Sequence, residues 1–169
     1  NNIIGPKGIG VEPQPRTKDG DIHEDYAAAL REAKRDWDHR PEVTHTHHWA
    51  GSQRLLSDTW LRDGEAFAQQ LIGNIASLDH GTRVPDSLEL MEPDMIPMDY
   101  ENGSTIRQGI ERNQWGRKLA FHVYKNHPGE LSMLPRAGDM KRIPAERMLQ
   151  LAMFDRIGQL RGISEFASI

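Results

Sequence analysis

Ile106-Arg107-Gln108-Gly109-Ile110-Glu111-Arg112-Asn113-Gln114-Trp115-Gly116-Arg117-Lys118-Leu119-Ala120-Phe121-His122-Val123-Tyr124 is the stretch that decides the fold class. Ile106 to Arg112 alternates, Asn113-Gln114-Trp115-Gly116 supplies turn residues, and Arg117 to Tyr124 alternates back, which predicts an antiparallel hairpin. On the returning strand Leu119, Phe121 and Val123 are expected to face a core, with Lys118, His122 and Tyr124 outward. Downstream, Pro128, Gly129, Pro135 and Gly138 mark a loop. Lys141-Arg142-Ile143 then reads as a short strand, Pro144 to Arg147 as one helical turn, and Met148 to Phe154 as another strand. Upstream, Glu65 to Ile72 has period two, with Phe67 and Leu71 on one face. Leu78-Asp79-His80-Gly81 turns, and Ser87 to Met91 returns before Pro93 ends the strand.

Before Gly64 the period is helical. From Asp21 to about Asp38 the apolar positions Ile22, Tyr26, Ala29, Leu30, Ala33 and Trp37 share one face. Arg31, Glu32, Lys34, Arg35 and Asp36 would form the solvated face. A second helix is predicted from about Ala50 to Asp63, with Leu56, Trp60, Gln53 and Ala50 on one face, and Gly64 is placed to end it in a left-handed conformation. Ile3 to Val11 sets β-branched residues between glycines and suggests a glycine-kinked strand, while His39 to His48 is a polar loop. Two helices followed by mostly antiparallel strands make the class α+β: two N-terminal helices packed on a mostly antiparallel β-sheet with hairpins. Residues 1–169 are expected to form a single domain, with Trp37, Trp60, Phe67, Phe121 and Val123 in its core.

Composition narrows the function classes. Hydrophobic residues are 37% and charged residues 27%, a polar but foldable mixture. A net charge of −4 lacks the basic excess of a dedicated nucleic-acid binder. With no cysteine, disulfides and thiolate metal sites are ruled out. No apolar run is long enough to span a membrane, and the start is unlike a signal peptide, so a cytosolic setting is expected. The chain opens on Asn1-Asn2-Ile3-Ile4 and closes on Phe166-Ala167-Ser168-Ile169 within an amphipathic pattern, as a piece of a longer protein would.

Each candidate for chemistry meets a plainer reading. His45 and His47, with His48 and His39 nearby, could offer two imidazoles on one strand face as half a zinc site, but only Glu42 is close and a His-rich polar loop explains them better. Glu89, Glu92, Asp94 and Asp99 could do acid–base work or hold a cation, yet no spacing specifies either. Gly5-Pro6-Lys7-Gly8-Ile9-Gly10 fails the phosphate-loop pattern because no Lys-Ser or Lys-Thr pair follows. Ser52, Ser57, Ser77 and Ser87 have no visible base partner. No catalytic, cofactor or metal site is therefore assigned. Trp115, Arg117, Lys118, Arg156 and Arg161 remain as possible subunit or DNA contacts, since they set cations beside exposed aromatic or apolar residues.

Several segments, in order, resemble the lambda family of phage portal proteins. They are Ile4-Gly5 to Gly8-Ile9, the Trp37 helix, Asp63-Gly64-Glu65-Ala66-Phe67 and Leu90-Met91-Glu92-Pro93-Asp94-Met95-Ile96. The strongest is Gly109 to Val123 with His127-Pro128-Gly129, followed by Arg142-Ile143-Pro144-Ala145-Glu146 and Arg156-Ile157-Gly158-Gln159-Leu160-Arg161-Gly162-Ile163-Ser164. The stretch departs from the family at Met148-Leu149-Gln150-Leu151, where many members carry a His, and around His45, where a Cys is frequent. The resemblance implies a structural, non-enzymatic role in a dodecameric ring at the capsid vertex, used for DNA packaging, ejection and head–tail joining. This stretch would be the wing region, with stem, clip and crown not recognisable. The implied partners are further copies of itself, terminase, capsid and head–tail connector proteins, and the double-stranded DNA passing through, with no membrane partner. The implied location is the virion, with host cytoplasm during assembly. Two alternatives stay open: a prophage-derived interaction domain without a packaging role, and a capsid-maturation enzyme, which would need a Ser with a Lys or His partner.

Overall fold

The computed structural model describes residues 4–130 and 137–168. Ile3 and Pro135 of the expectations above lie outside that range. The elements are α1 (Glu24–Trp37), α2 (Trp49–Asp63), β1 (Glu65–Ile72), β2 (Asp86–Met91), β3 (Ile106–Arg107), β4 (Ile110–Arg112), β5 (Lys118–Tyr124), β6 (Met140–Pro144) and β7 (Met148–Ala152). Three strands form one sheet in the order β2-β1-β7, and four form another in the order β3-β4-β5-β6. The architecture is α+β, as the order of periods predicts. The chain divides into two compact units, Asn1–Leu55 with Leu71–Glu89 and Leu56–Gln70 with Leu90–Ile169.

In the first unit α1 starts on the His23 ring, whose Nδ1 accepts the Tyr26 N–H at 3.3 Å. Glu24 and Asp25 in its first turn and Lys34 and Arg35 in its last suit the helix dipole. The residue it buries completely is Ala27, while Tyr26 and Ala29 are exposed, so the predicted apolar stripe is shifted around the helix. Its charged face is not simply solvated: Arg31 binds Glu12 at 2.7 Å, and Glu32 and Asp36 both hold Arg83. Trp37 is half-buried; its Nε1 donates to the Asp86 carbonyl at 2.8 Å and its ring meets Trp49 at 5.0 Å.

The glycine-kinked strand expected over Ile3–Val11 does not form in the described part. Gln53 explains why: its Oε1 accepts the Ile9 N–H at 2.7 Å and its Nε2 donates to the Ile9 carbonyl at 3.3 Å. One amide side chain thus takes the place of a neighbouring strand. Gly8 lies so close to Ala50 and Gln53 at φ +73° that a Cβ would collide with both. On α2 the inward line is Ala50, Ser52 and Thr59, with Leu56 and Trp60 only half-buried. Small hydroxyl side chains can be buried there because Ser52 Oγ bonds back to the His48 carbonyl at 3.4 Å.

The second unit holds the larger core. Phe67 and Phe121 meet edge-on at 6.0 Å among Met91, Met95, Ile96, Ile110, Val123, Ile143, Met148 and Leu160. The expected hairpin is present, but its first arm is two strands. Gln108 and Gly109 take φ of +54° and +75° and fold Ile106–Arg107 back on Ile110–Arg112. The second arm carries a β-bulge: Glu111 pairs with Ala120 and Arg112 with Lys118, leaving Leu119 as the extra residue. The predicted inward face therefore holds for Phe121 and Val123 and fails for Leu119, which is 39% exposed while Ala120 is fully buried.

Candidate functional site

The residues singled out from sequence lie in the second unit, on two loops and the strand behind one of them. At the hairpin tip, Asn113 Oδ1 accepts the N–H groups of Trp115 and Arg117, each at 2.9 Å, and Gly116 turns the chain at φ +81°. An Asn at the first turn position does this because its side chain imitates a backbone carbonyl. The result is a fixed turn that presents Trp115, 84% exposed, beside an exposed Arg117. Lys118 behaves differently. Its ammonium points inward, donates to Gln150 Oε1 and to the Leu160 carbonyl, and lies 5.0 Å from the Phe154 ring centre. Burial pushes its pKa below the ordinary lysine range, opposed by the charge of Glu65.

The 155–163 loop braces itself. Gln159 Oε1 accepts from the N–H groups of Asp155 and Arg156, and its Nε2 donates to the Arg161 carbonyl at 2.8 Å. Gly158 reverses the chain at φ +78°, which leaves Arg156 exposed and Ile157 wholly outside. Arg161, expected among the possible contacts, is 4% exposed. Its Nε binds Glu65 Oε1 at 2.6 Å, while Nη1 and Nη2 donate to the carbonyls of Ile96, Gln108 and Pro93. Glu65 Oε2 in turn accepts the Gly162 N–H at 2.9 Å and Gln150 Nε2 at 3.0 Å. A five-donor planar cation suits a pocket of carbonyls and one carboxylate, and a guanidinium so engaged anchors the loop from inside. Gly162 is required there, since a Cβ would lie 2.1 Å from the Gly64 carbonyl oxygen. Between this loop and Met98, Arg107 and Gln108 lies an open cleft of about 450 Å³.

Several of the other expected candidates have local partners of their own. His45 sits in a turn at φ +55°, its Nε2 3.1 Å from the Asp79 carbonyl, and His48 Nδ1 caps α2 by accepting the Gly51 N–H at 3.1 Å. His39 and His47 are exposed. Glu42 is buried, and its carboxylate gathers the N–H groups of Thr44, Thr46 and His47. Burial would raise its pKa, but those donors hold it below the usual carboxylate range. Among the described residues no three His, Asp or Glu side chains come together as a metal site. Glu92 pairs with Arg62 at 3.4 Å and His127 at 3.3 Å, and Asp94 and Asp99 are exposed.

One pairing escaped the sequence reading. Ser87 Oγ lies 2.8 Å from His80 Nδ1, and His80 Nε2 lies 2.8 Å from the Gly73 carbonyl. That carbonyl fixes the proton on Nε2, so Nδ1 accepts from the serine hydroxyl, the geometry of a general base. Ser87 is wholly buried, however, so the pair ties a loop together out of reach of substrate. The seven-residue separation carries no recognisable motif, and only the fold reveals it. Among the described residues no helix is long and apolar enough to cross a membrane.

The profile of the family described as "Phage portal protein, lambda family" matches residues 1–169. A protein named "Probable portal protein" from Halomonas phage phiHAP-1 is 26% identical over 153 residues, 87% of this chain and 28% of its own length. The chain thus spans little more than a quarter of that relative.

Proposed function

The chain belongs to the lambda family of phage portal proteins, and from that premise we propose that it serves as a wing-region part of the ring at the capsid vertex. The observation that carries this is the family match along all of residues 1–169. In this reading the protein works by shape and contact, not by catalysis. Twelve copies close a ring; the ring passes double-stranded DNA during packaging and ejection, docks terminase, sits among capsid proteins and later receives the head–tail connector. Its place is the virion, reached by assembly in the host cytoplasm.

The geometry supports a contact role. Trp115 and Arg117 on one fixed turn, and Arg156 with Ile157 on another, are exposed aromatic, apolar and guanidinium groups of the kind that anchor interfaces. Lys118 and Arg161 act behind them, fixing the strand and the loop that carry these tips. In a ring each copy offers one face to one neighbour and a different face to the other. Light scattering tests the reading. The longer portal chain should form large rings, and residues 1–169 alone should stay monomeric or associate weakly at micromolar concentration. A longer chain that remains monomeric at every concentration and salt would overturn it.

A further inference from the structure

The cleft beside the 155–163 loop has an uneven chemistry. Its exposed walls carry two guanidinium groups, Arg107 and Arg156, and three apolar side chains, Met98, Ile157 and Ile163. Arg107 and Arg156 have no ion pair among the described residues, as is true also of Arg35, Arg117 and other arginines; what sets these two apart is that they line one cleft together with exposed Met98, Ile157 and Ile163. Two unpaired cations beside bare aliphatic groups suit a segment carrying both carboxylates and an apolar side chain. Nucleic acid fits less well, because exposed Met and Ile gain nothing from phosphate.

This protein displays such a segment. Residues 15–23 form a small closed loop: Arg16 bridges Ile22, the Thr17 N–H donates to the Asp21 carbonyl at 2.8 Å, and the His23 N–H donates to that of Pro15 at 2.8 Å. Gly20, at φ +94°, makes the turn, and Arg16 Nη1 braces it by donating to the Gly20 carbonyl at 2.6 Å. The loop and the start of α1 present Asp19, Asp21 and Asp25, all exposed and with no cation partner among the described residues, together with exposed Ile22 and Tyr26. Unpaired acids around an exposed isoleucine match unpaired arginines around an exposed isoleucine.

We propose that the Asp19–Tyr26 segment of one copy seats in the Met98, Arg107, Arg156, Ile157, Ile163 cleft of the next. The proposal deepens the ring reading by naming the two unlike faces of the contact. Both partners are ordered beforehand, the cleft loop by Gln159 and the inserted loop by the Arg16–Ile22 bridge, so little conformational freedom is lost on contact.

The chain has no cysteine, which makes a cross-linking test clean. An Ile22→Cys chain is mixed with an Ile157→Cys chain under mild oxidation, and covalent dimer is measured against an Ile72→Cys with Ile157→Cys mixture. Residue 72 is similarly exposed and carries no acidic loop. The expected yield is about tenfold above that control, and Arg107→Glu with Arg156→Glu on the Ile157→Cys chain should bring it down to the control level. Adding Asp19→Lys, Asp21→Lys and Asp25→Lys to the Ile22→Cys chain should then restore it. Circular dichroism on each variant separates a lost contact from a lost fold. No enrichment over the control, or enrichment indifferent to the charge reversals, would overturn the pairing; so would retention on duplex DNA that depends on the same two arginines. Rings of the longer chain without this cross-link would sink the pairing and leave the ring reading intact, while the cross-link without rings would do the reverse.

Discussion

Replacing Arg161 by Met is the most informative single change, because the guanidinium anchors a loop from a site with 4% exposure. The substitution keeps a similar apolar stem and removes the cation. Glu65 would then be a buried carboxylate with the Gly162 N–H and Gln150 Nε2 as its remaining donors, and the carbonyls of Ile96, Gln108 and Pro93 would lose a partner. Breaking a buried pair on one side costs about 3–5 kcal/mol. Arg161→Met with Glu65→Leu removes the orphaned charge but leaves the Ile96 and Gln108 carbonyls, the Gly162 N–H and one N–H of Gln150 Nε2 unsatisfied, while the Pro93 carbonyl keeps the Ile96 N–H and Gln150 keeps the Leu160 carbonyl. At roughly 1 kcal/mol for each group that water cannot reach, the double variant should still lose about 2–4 kcal/mol. Arg161→Lys keeps a cation for Glu65 but cannot fork to every acceptor, so it should fall between the wild type and Arg161→Met. Urea unfolding followed by tryptophan fluorescence gives all three values. Since a domain this size has about 5–15 kcal/mol in total, the lysine variant remains measurable even where the methionine variant barely folds. An Arg161→Met loss under about 1 kcal/mol, the scale of an exposed ion pair, would refute the internal anchor.

Three further outcomes test other parts of the description. Gly162→Ala should cost at least about 2 kcal/mol in thermal unfolding because its Cβ meets backbone, whereas Gly116→Ala, with open space around it, should cost only about 1–2 kcal/mol of left-handed strain. Leu119→Ser should change stability by less than about 0.5 kcal/mol while Phe121→Ala costs about 3–5 kcal/mol in chemical denaturation, and the reverse order would disprove the bulge. Glu42 and Glu111 are held below the usual carboxylate range, Glu111 chiefly by its hydrogen bonds to Arg142. The stability they contribute is complete above the unfolded-state pKa and is lost as pH falls through the lower folded values. Glu42→Gln should therefore flatten the acid limb of the stability–pH curve, and an unchanged limb would show that Glu42 contributes nothing to it.

Much of the architecture is visible in residue order. Glu65–Ile72 reads as a strand from the alternation in its sequence, although β1 buries Glu65 to Ala68 in one run and leaves Leu71 half-buried, and Gly64 ends α2 at φ +86° where a left-handed residue is needed. The misreadings come from interactions that carry no local pattern. Leu119 alternates like a core residue, yet one bulge moves it outside. Gln53 replaces a strand for Ile9 from 44 residues away. Arg161 looks like a surface cation in sequence, and only the distant Glu65 makes it an interior one. His80 and Ser87 likewise meet only because the loop between them closes. The exposed tips were more legible, since Asn113, Gly116 and Gly158 are turn residues beside Trp115 and Ile157.

The bond between Arg161 and Glu65 joins residues 96 positions apart, and β7 pairs with β1 across a similar distance. A ribosome adding about 5–20 residues per second needs roughly 5–20 seconds to make the intervening chain. Throughout that interval β1 has been synthesised but β7 and the anchor that secures it have not. Phe67 and the open edge of β1 are then available to any other nascent strand, including the same strand on a neighbouring polysome. Yield in the cell should thus depend on how quickly translation crosses residues 70–160, and on whether a chaperone shields β1 until Arg161 emerges.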